Sequence, residues 1–210
     1  MNPLFKKIQT ILRGHKRFII NDPRLKRSAV LLLLYMKNNA PHGIFTKRTT
    51  NLKRHKGEIS LPGGGIEEGD KSLLDTAFRE TEEEIDLGRS KINILGELDD
   101  LFTISGYIIT PFVGYFEYPY EFKINFNEVE ELIEVPISVF QSTDNFSEEN
   151  WGYEGDQYPV YYYEYNSGKK TYIIWGATGY IMNGFIDLVF NFNPSKTKYK
   201  RRNPNLMFKK

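Results

Sequence analysis

The chain has 210 residues, of which 40% are hydrophobic and 26% are charged, so it is suited to one packed domain. Its 28 basic and 27 acidic residues leave a net charge of +1, which excludes a uniformly basic nucleic-acid-binding protein. The absence of cysteine excludes disulfides and zinc–thiolate sites, and the longest aliphatic run, AVLLLLY, is far shorter than the roughly 20 residues of a membrane-spanning helix. The basic N-terminus has no long apolar stretch, so we do not predict a signal peptide.

The predicted elements begin with an amphipathic helix over residues 3–14. Two strands follow, SAVLLLLYMK and HGIFTKRTT, with NAPHG as the turn between them. After a glycine-rich loop, residues 70–86 are predicted to form a helix with Asp70 as its N-cap. The remaining segments are predicted as the strands KINILGEL and YIITPFVGYFEY, a short strand and helical turn in VEELIEVPISVF, a hairpin around NSGK, and a last helix in WGATGYIMNGFIDLVFNF. This order predicts a mixed α/β or α+β sandwich.

Four glutamates lie within five positions of the predicted helix, and like charges this close repel each other. If Glu80 is placed at zero, Glu83 falls at about −60° and Glu84 at about +40°, because each residue advances by about 100°. These three carboxylates share one face, Glu82 points away from it, and Arg79 lies beside it. The neighbouring face is apolar and is predicted to pack on the core; it consists of Leu74, Phe78, Thr81 and Ile85.

Two interpretations of this face remain. A charge run is most often a solvated helix surface. Three convergent carboxylates beside a glycine-rich turn also form a site of hard oxygen ligands, which suits Mg²⁺ or Mn²⁺. The glycines, the arginine and the position of the apolar face favour the metal site.

The same stretch resembles the Nudix box, the signature of hydrolases that act on a nucleoside diphosphate linked to another group. Gly64 opens the pattern, and its core matches Arg79, Glu80, Glu83 and Glu84. The resemblance implies an α/β/α sandwich with a mixed sheet, a Mg²⁺ or Mn²⁺ cofactor held by the three glutamates and the Gly63 carbonyl, and an arginine that orients the glutamates.

The chain departs from this pattern at three positions. Asp70 replaces the first glutamate of the box, Thr81 replaces an apolar residue, and Asp86 replaces a late glycine. Asp70 also lies one residue further from Arg79 than the family pattern has it. This longer spacing is similar to that of the coenzyme A diphosphatase branch of the family.

A second motif, IFTKRTTNLKRHKGEISLPGG, resembles the upstream motif of that branch. Its matching residues are Thr46, Arg48, His55, Gly57 and Pro62–Gly64, while Lys53 and Leu61 replace an arginine and a phenylalanine. The branch implies hydrolysis of coenzyme A to 3′,5′-ADP and 4′-phosphopantetheine. We predict that Arg48, Lys53, Arg54 and His55 bind the substrate, with a solvated surface loop as the alternative.

The catalytic base is left open between Glu83 and a glutamate of a second acidic stretch, with Glu128 as its first candidate. The other members of that stretch are Glu130, Glu131 and Glu134. Another nucleoside diphosphate derivative as substrate (ADP-ribose, a dinucleotide or a nucleoside triphosphate) and a nucleotide-binding module without turnover also remain as alternatives.

We predict an N-terminal helical extension over residues 1–25, a hydrolase domain over 26–192 and a basic, mobile tail over 193–210. The expected partner is a small nucleoside diphosphate such as coenzyme A, with no membrane or nucleic-acid partner and a cytoplasmic location. The oligomeric state is left open, with a homodimer as one alternative.

Overall fold

The computed structural model describes residues 1–50, 56–153 and 156–197. The helices in these ranges are α1 (Pro3–Gly14), α2 (Leu73–Ile85), α3 (Gly176–Phe190) and the 3₁₀ turns Arg89–Lys91 and Ile137–Gln141. The strands are β1 (Lys26–Lys37), β2 (Ala40–Arg48), β3 (Ile59–Ser60), β4 (Gly63–Gly65), β5 (Asn93–Glu97), β6 (Leu101–Phe102), β7 (Tyr107–Tyr115), β8 (Val129–Pro136), β9 (Phe146–Tyr153), β10 (Asp156–Asn166) and β11 (Thr171–Trp175).

Strand β1 lies at the centre of the larger sheet, whose order is β3–β2–β1–β7–β5. It pairs in parallel with β7 and antiparallel with β2, so the sheet is mixed. Strands β4, β6 and β8 pair with β1, β7 and β2, and a second sheet has the order β11–β10–β9. Because side chains alternate along a strand, the uninterrupted apolar run of β1 is buried on both faces.

Helices cover both faces of the larger sheet. On one face, Leu31 and Leu33 of β1 pack in one cluster with Phe78 and Ile85 of α2. On the other face, the alternate residues of β1 pack with α1 and α3 in a second cluster, whose members include Phe5, Ile8, Leu32, Leu34, Phe185 and Ile186. The predicted α/β/α sandwich with a mixed sheet is therefore confirmed.

Most of the predicted elements are present, including α1, α3 and the hairpin turn at residues 167–170. The turn between β1 and β2 lies at Asn38 and Asn39, which both have positive φ angles, and not across NAPHG. None of the helices in the described ranges is both long and apolar enough to cross a bilayer. The division at residues 25 and 192 stays a prediction, although Phe5, Ile8 and Leu12 of α1 are buried in the main core.

Candidate active site

The three glycines of β4 bring the main chain against both the central strand and the acidic helix. At Gly63, where φ is 149°, an added Cβ would lie 2.3 Å from the Ala29 carbonyl oxygen. At Gly64 it would lie 2.3 Å from Oε1 of Glu80. Only residues without a side chain permit both approaches, so the glycines allow the Glu80 carboxylate to lie directly on the strand.

The N-terminus of α2 differs from the prediction. The helix begins at Leu73, and Ser72 is its N-cap, because the Ser72 hydroxyl accepts a hydrogen bond from the Asp75 main-chain N–H at 3.1 Å. The expectation that Asp70 caps the helix was therefore wrong. Serine is equally suited to this position, and the Asp70 carboxylate is used for a different contact.

Asp70 is the main partner of Arg79. Its two oxygens accept hydrogen bonds from Nε and Nη2 of Arg79, both at 3.1 Å, and Oδ2 also accepts from the Thr76 hydroxyl at 2.9 Å. The Arg79 hydrogen bonds are the largest cause that lowers the pKa of Asp70, to about 2. Asp70 therefore holds the guanidinium of Arg79, despite its altered spacing and shorter side chain.

Arg79 connects the glycine strand to the acidic face. Its Nη2 donates to the Gly65 carbonyl at 3.0 Å, and its Nη1 donates to Glu80 and to Glu83, each at 3.0 Å. One guanidinium therefore orients two of the three predicted metal ligands and offsets part of their repulsion.

The three glutamates lie at different depths. Glu84 is 1% exposed, whereas the side chains of Glu80 and Glu83 are 14% and 52% exposed. Burial is the first cause that raises the pKa of Glu84, to about 8; the Arg48 charge opposes this, and the charges of Glu80 and Glu128 add to it. Burial also raises the pKa of Glu80. Glu82 is exposed, and its carboxylate lies near Gly88.

Glu128 is the member of the second acidic stretch that lies at the site, since its charge acts on both Glu80 and Glu84. The other three acids extend along β8 and pair with lysines elsewhere: Glu130 with Lys47, Glu131 with Lys170, and Glu134 with Lys37. The sequence offered Glu128 as the first candidate without excluding the other three, and the pairing of β8 with β2 separates them.

Arg48 lies beside the most buried glutamate. Its Nη1 is 3.8 Å from Oε1 of Glu84, and its Nε is buried without a hydrogen-bond partner. The other predicted substrate ligands, Lys53, Arg54 and His55, fall outside the described residues.

The site fits a divalent cation, although its ligands are not yet assembled. Oε2 of Glu84 is buried and has no hydrogen-bond partner, and two further carboxylates act on it electrostatically. In residues 1–50, 56–153 and 156–197, no group of three or more acidic or histidine side chains is already arranged to hold a metal ion. Glu83 and Glu80 instead share Arg79, and Glu83 is the more exposed of the two. Carboxylate oxygens of this kind suit Mg²⁺ and Mn²⁺.

Two departures from the box pattern have local explanations. The Thr81 hydroxyl donates to the Ala77 carbonyl at 2.7 Å, so this buried residue leaves no polar atom unpaired. Asp86 adopts the left-handed conformation that glycine usually provides after a helix, with φ at 57°, and its carboxylate pairs with Lys123 at 3.0 Å.

A family model described as the NUDIX domain matches residues 25–151. The chain belongs to the Nudix family. A relative named Nudix hydrolase 15, mitochondrial, from Arabidopsis thaliana is 36% identical over 160 residues, which are 75% of this chain and 56% of the relative. NudL of Photorhabdus laumondii, named as an uncharacterized Nudix hydrolase, is 34% identical over 157 residues, which are 75% of this chain and 82% of the relative. The chain thus spans just over half the length of the plant relative and most of NudL.

Among solved structures, the Nudix hydrolase RenU from M. smegmatis has a TM-score of 0.47 and 21% sequence identity, covering 57% of this chain and 74% of that chain. The family assignment depends on the sequence matches.

Proposed function

We propose that the protein is a metal-dependent Nudix hydrolase that cleaves the diphosphate bond of coenzyme A or its derivatives, giving 3′,5′-ADP and 4′-phosphopantetheine. The observation that carries the proposal is the buried, unpartnered Oε2 of Glu84 on α2, on which the charges of Glu80 and Glu128 act. Arg79 of the same helix donates a hydrogen bond to the Gly65 carbonyl of the glycine strand β4. An apolar environment disfavours a carboxylate charge unless a cation lies close to it. The arrangement therefore supports a catalytic centre over a solvated helix face.

In this proposal Glu80, Glu83 and Glu84 hold Mg²⁺ or Mn²⁺, with the Gly63 carbonyl as a further ligand. The Gly63 main-chain N–H acts on the Glu84 carboxylate, which puts this residue next to the proposed ligands. When bound, the cation neutralises charge on the diphosphate and lowers the pKa of water.

We assign proton transfer to Glu128 in preference to Glu83. Glu83 accepts a hydrogen bond from Arg79 at 3.0 Å, so its carboxylate is already engaged by the guanidinium. Glu128 lies near the buried acids, and no ion pair of Glu128 is observed within the described part of the chain. Its carboxylate would accept the proton of the attacking water.

Arg48 is assigned to the diphosphate, because its unpartnered Nε lies within the same acidic site. A substrate phosphate oxygen would satisfy this donor through a charge-assisted hydrogen bond. We propose that Lys53, Arg54 and His55 meet more distant parts of the substrate, with Lys53 or Arg54 at the 3′-phosphate that distinguishes coenzyme A from dephospho-coenzyme A.

The test is hydrolysis of a panel containing coenzyme A, dephospho-coenzyme A, ADP-ribose, a dinucleotide and a nucleoside triphosphate, with and without Mg²⁺. We expect coenzyme A to be favoured over dephospho-coenzyme A by about tenfold to a hundredfold in kcat/KM, the value of one charge-assisted contact. Lys53→Ala or Arg54→Ala should reduce this ratio, whereas Arg48→Ala should lower kcat/KM for both substrates together.

Each of the other outcomes corrects a different part of the proposal. Hydrolysis of ADP-ribose without hydrolysis of coenzyme A would reject the branch and keep the Nudix chemistry. Binding without turnover of any substrate would identify a nucleotide-binding module. A cytoplasmic location remains part of the proposal; the plant relative is named as mitochondrial.

A further inference from the structure

A tight turn over residues 125–129 leads into β8 and is hydrogen-bonded to the end of α2. The Asn125 main-chain N–H donates to the Glu84 carbonyl at 3.0 Å. The Asn125 carbonyl in turn accepts from the main-chain N–H groups of Glu128 at 3.0 Å and Val129 at 2.9 Å. One residue therefore joins the main chain of the buried metal-ligand candidate to that of the proposed base.

The side chain of Asn125 closes this turn. Its Oδ1 accepts from the Asn127 main-chain N–H at 3.2 Å, which is the local hydrogen bond that asparagine provides in turns. From the opposite side, the Thr49 main-chain N–H donates to the Glu128 carbonyl at 2.9 Å, and the Thr49 hydroxyl donates to the Asn127 carbonyl at 3.4 Å. The main chain at Glu128 is thus held by α2 through Asn125 and by the end of β2 through Thr49.

We propose that Asn125 is a positioning residue that sets the Glu128 carboxylate at a fixed place opposite Glu84. This inference depends on the assignment of Glu128 as the base in the proposed function. Asn125 touches neither substrate nor metal in this role and acts through the turn alone. Precise placement is needed because a displacement of about 1 Å in a reacting group can cost about a hundredfold in rate.

The test compares three single variants with the wild type, using the substrate of the panel that is hydrolysed fastest. Asn125→Ala removes the Oδ1 acceptor, and we expect kcat to fall about tenfold with little change in KM, since the loosened turn displaces Glu128 in part. Asn125→Ser keeps an acceptor without adding charge and should restore most of the loss. The matched control is Asn127→Ala, because the exposed Asn127 contributes only main-chain groups to the turn. This control should retain the wild-type kcat.

A double-mutant cycle shows whether Asn125 acts through Glu128. In a Glu128→Gln background, Asn125→Ala should cause no further loss of kcat, because the group that it positions is already disabled. A further loss as large as in the wild type would overturn the inference. An unchanged kcat in Glu128→Gln alone, or equal losses in Asn125→Ala and Asn127→Ala, would also overturn it.

Crystal structures of the wild type and Asn125→Ala separate this inference from the proposed function. If no substrate of the panel is hydrolysed, the proposed function fails, and the structures still decide the role of the turn. A Glu128 carboxylate displaced relative to Glu84, by less than the about 1 Å that would cost a hundredfold, supports the positioning role. An unmoved Glu128 refutes it, whatever the substrate.

Discussion

The replacement of Glu84 by glutamine is the sharpest test of the charge distribution at the site. The pKa of Glu84 is raised from its ordinary value of 4.5 to about 8, first by burial. Between these values the folded protein binds a proton that the unfolded chain has released, so its stability falls as pH rises. At about 1.4 kcal/mol for each pKa unit, the full penalty above pH 8 is about 5 kcal/mol.

Glu84→Gln removes this ionisation. In the absence of metal at pH 9, we expect the variant to be more stable than the wild type by about 2–5 kcal/mol, the lower values reflecting imperfect pairing of the buried amide. The difference should become small below pH 4.5, where the wild-type carboxyl is neutral in both states. Saturating Mg²⁺ should reduce or reverse it, because a ligand that binds only the folded state stabilises the wild type.

The measurement is urea unfolding by circular dichroism, with EDTA or Mg²⁺, at intervals from about pH 4 to about pH 9. Glu82→Gln is the matched control, since it removes a charge from the same helix at an exposed position, and its stability should differ little from the wild type. The reasoning would be refuted by a Glu84→Gln variant that is less stable at pH 9 without metal, or whose difference from wild type does not change with pH.

Three further predictions concern activity. Glu83→Gln should lower kcat by about two orders of magnitude or more, whereas Glu82→Gln should leave kcat almost unchanged in the same assay. Equal losses of kcat in the two variants would show that the metal ligands are wrongly assigned. Gly64→Ala should nearly abolish turnover, because its Cβ would lie 2.3 Å from the Glu80 carboxylate, and the check is kcat together with the melting temperature. Truncation after Thr197 should leave kcat and KM of a small soluble substrate close to wild type, and a large rise in KM would show that the basic tail binds phosphate.

The sequence by itself determined the elements whose pattern is local. The apolar run of β1 and the 3.6-residue period of α2 predict a strand buried on both faces and a helix with one acidic face. Helical geometry also fixes the relation of Glu80, Glu83 and Glu84, because residues three and four apart are neighbours on any helix. The acidic centre was therefore predictable before the fold was known.

Only the tertiary structure decided which remote groups complete that centre. Asp70 is suited to an N-cap by local preference, but its carboxylate instead binds Arg79, which also donates to the Gly65 carbonyl of β4, and Ser72 caps the helix. Composition does not distinguish Glu128 from Glu130. In the fold, Glu128 precedes β8, whereas Glu130 lies on β8 and forms an ion pair with Lys47 of the neighbouring strand β2. Such choices depend on strand register and on contacts between residues distant in sequence, which local propensity does not encode.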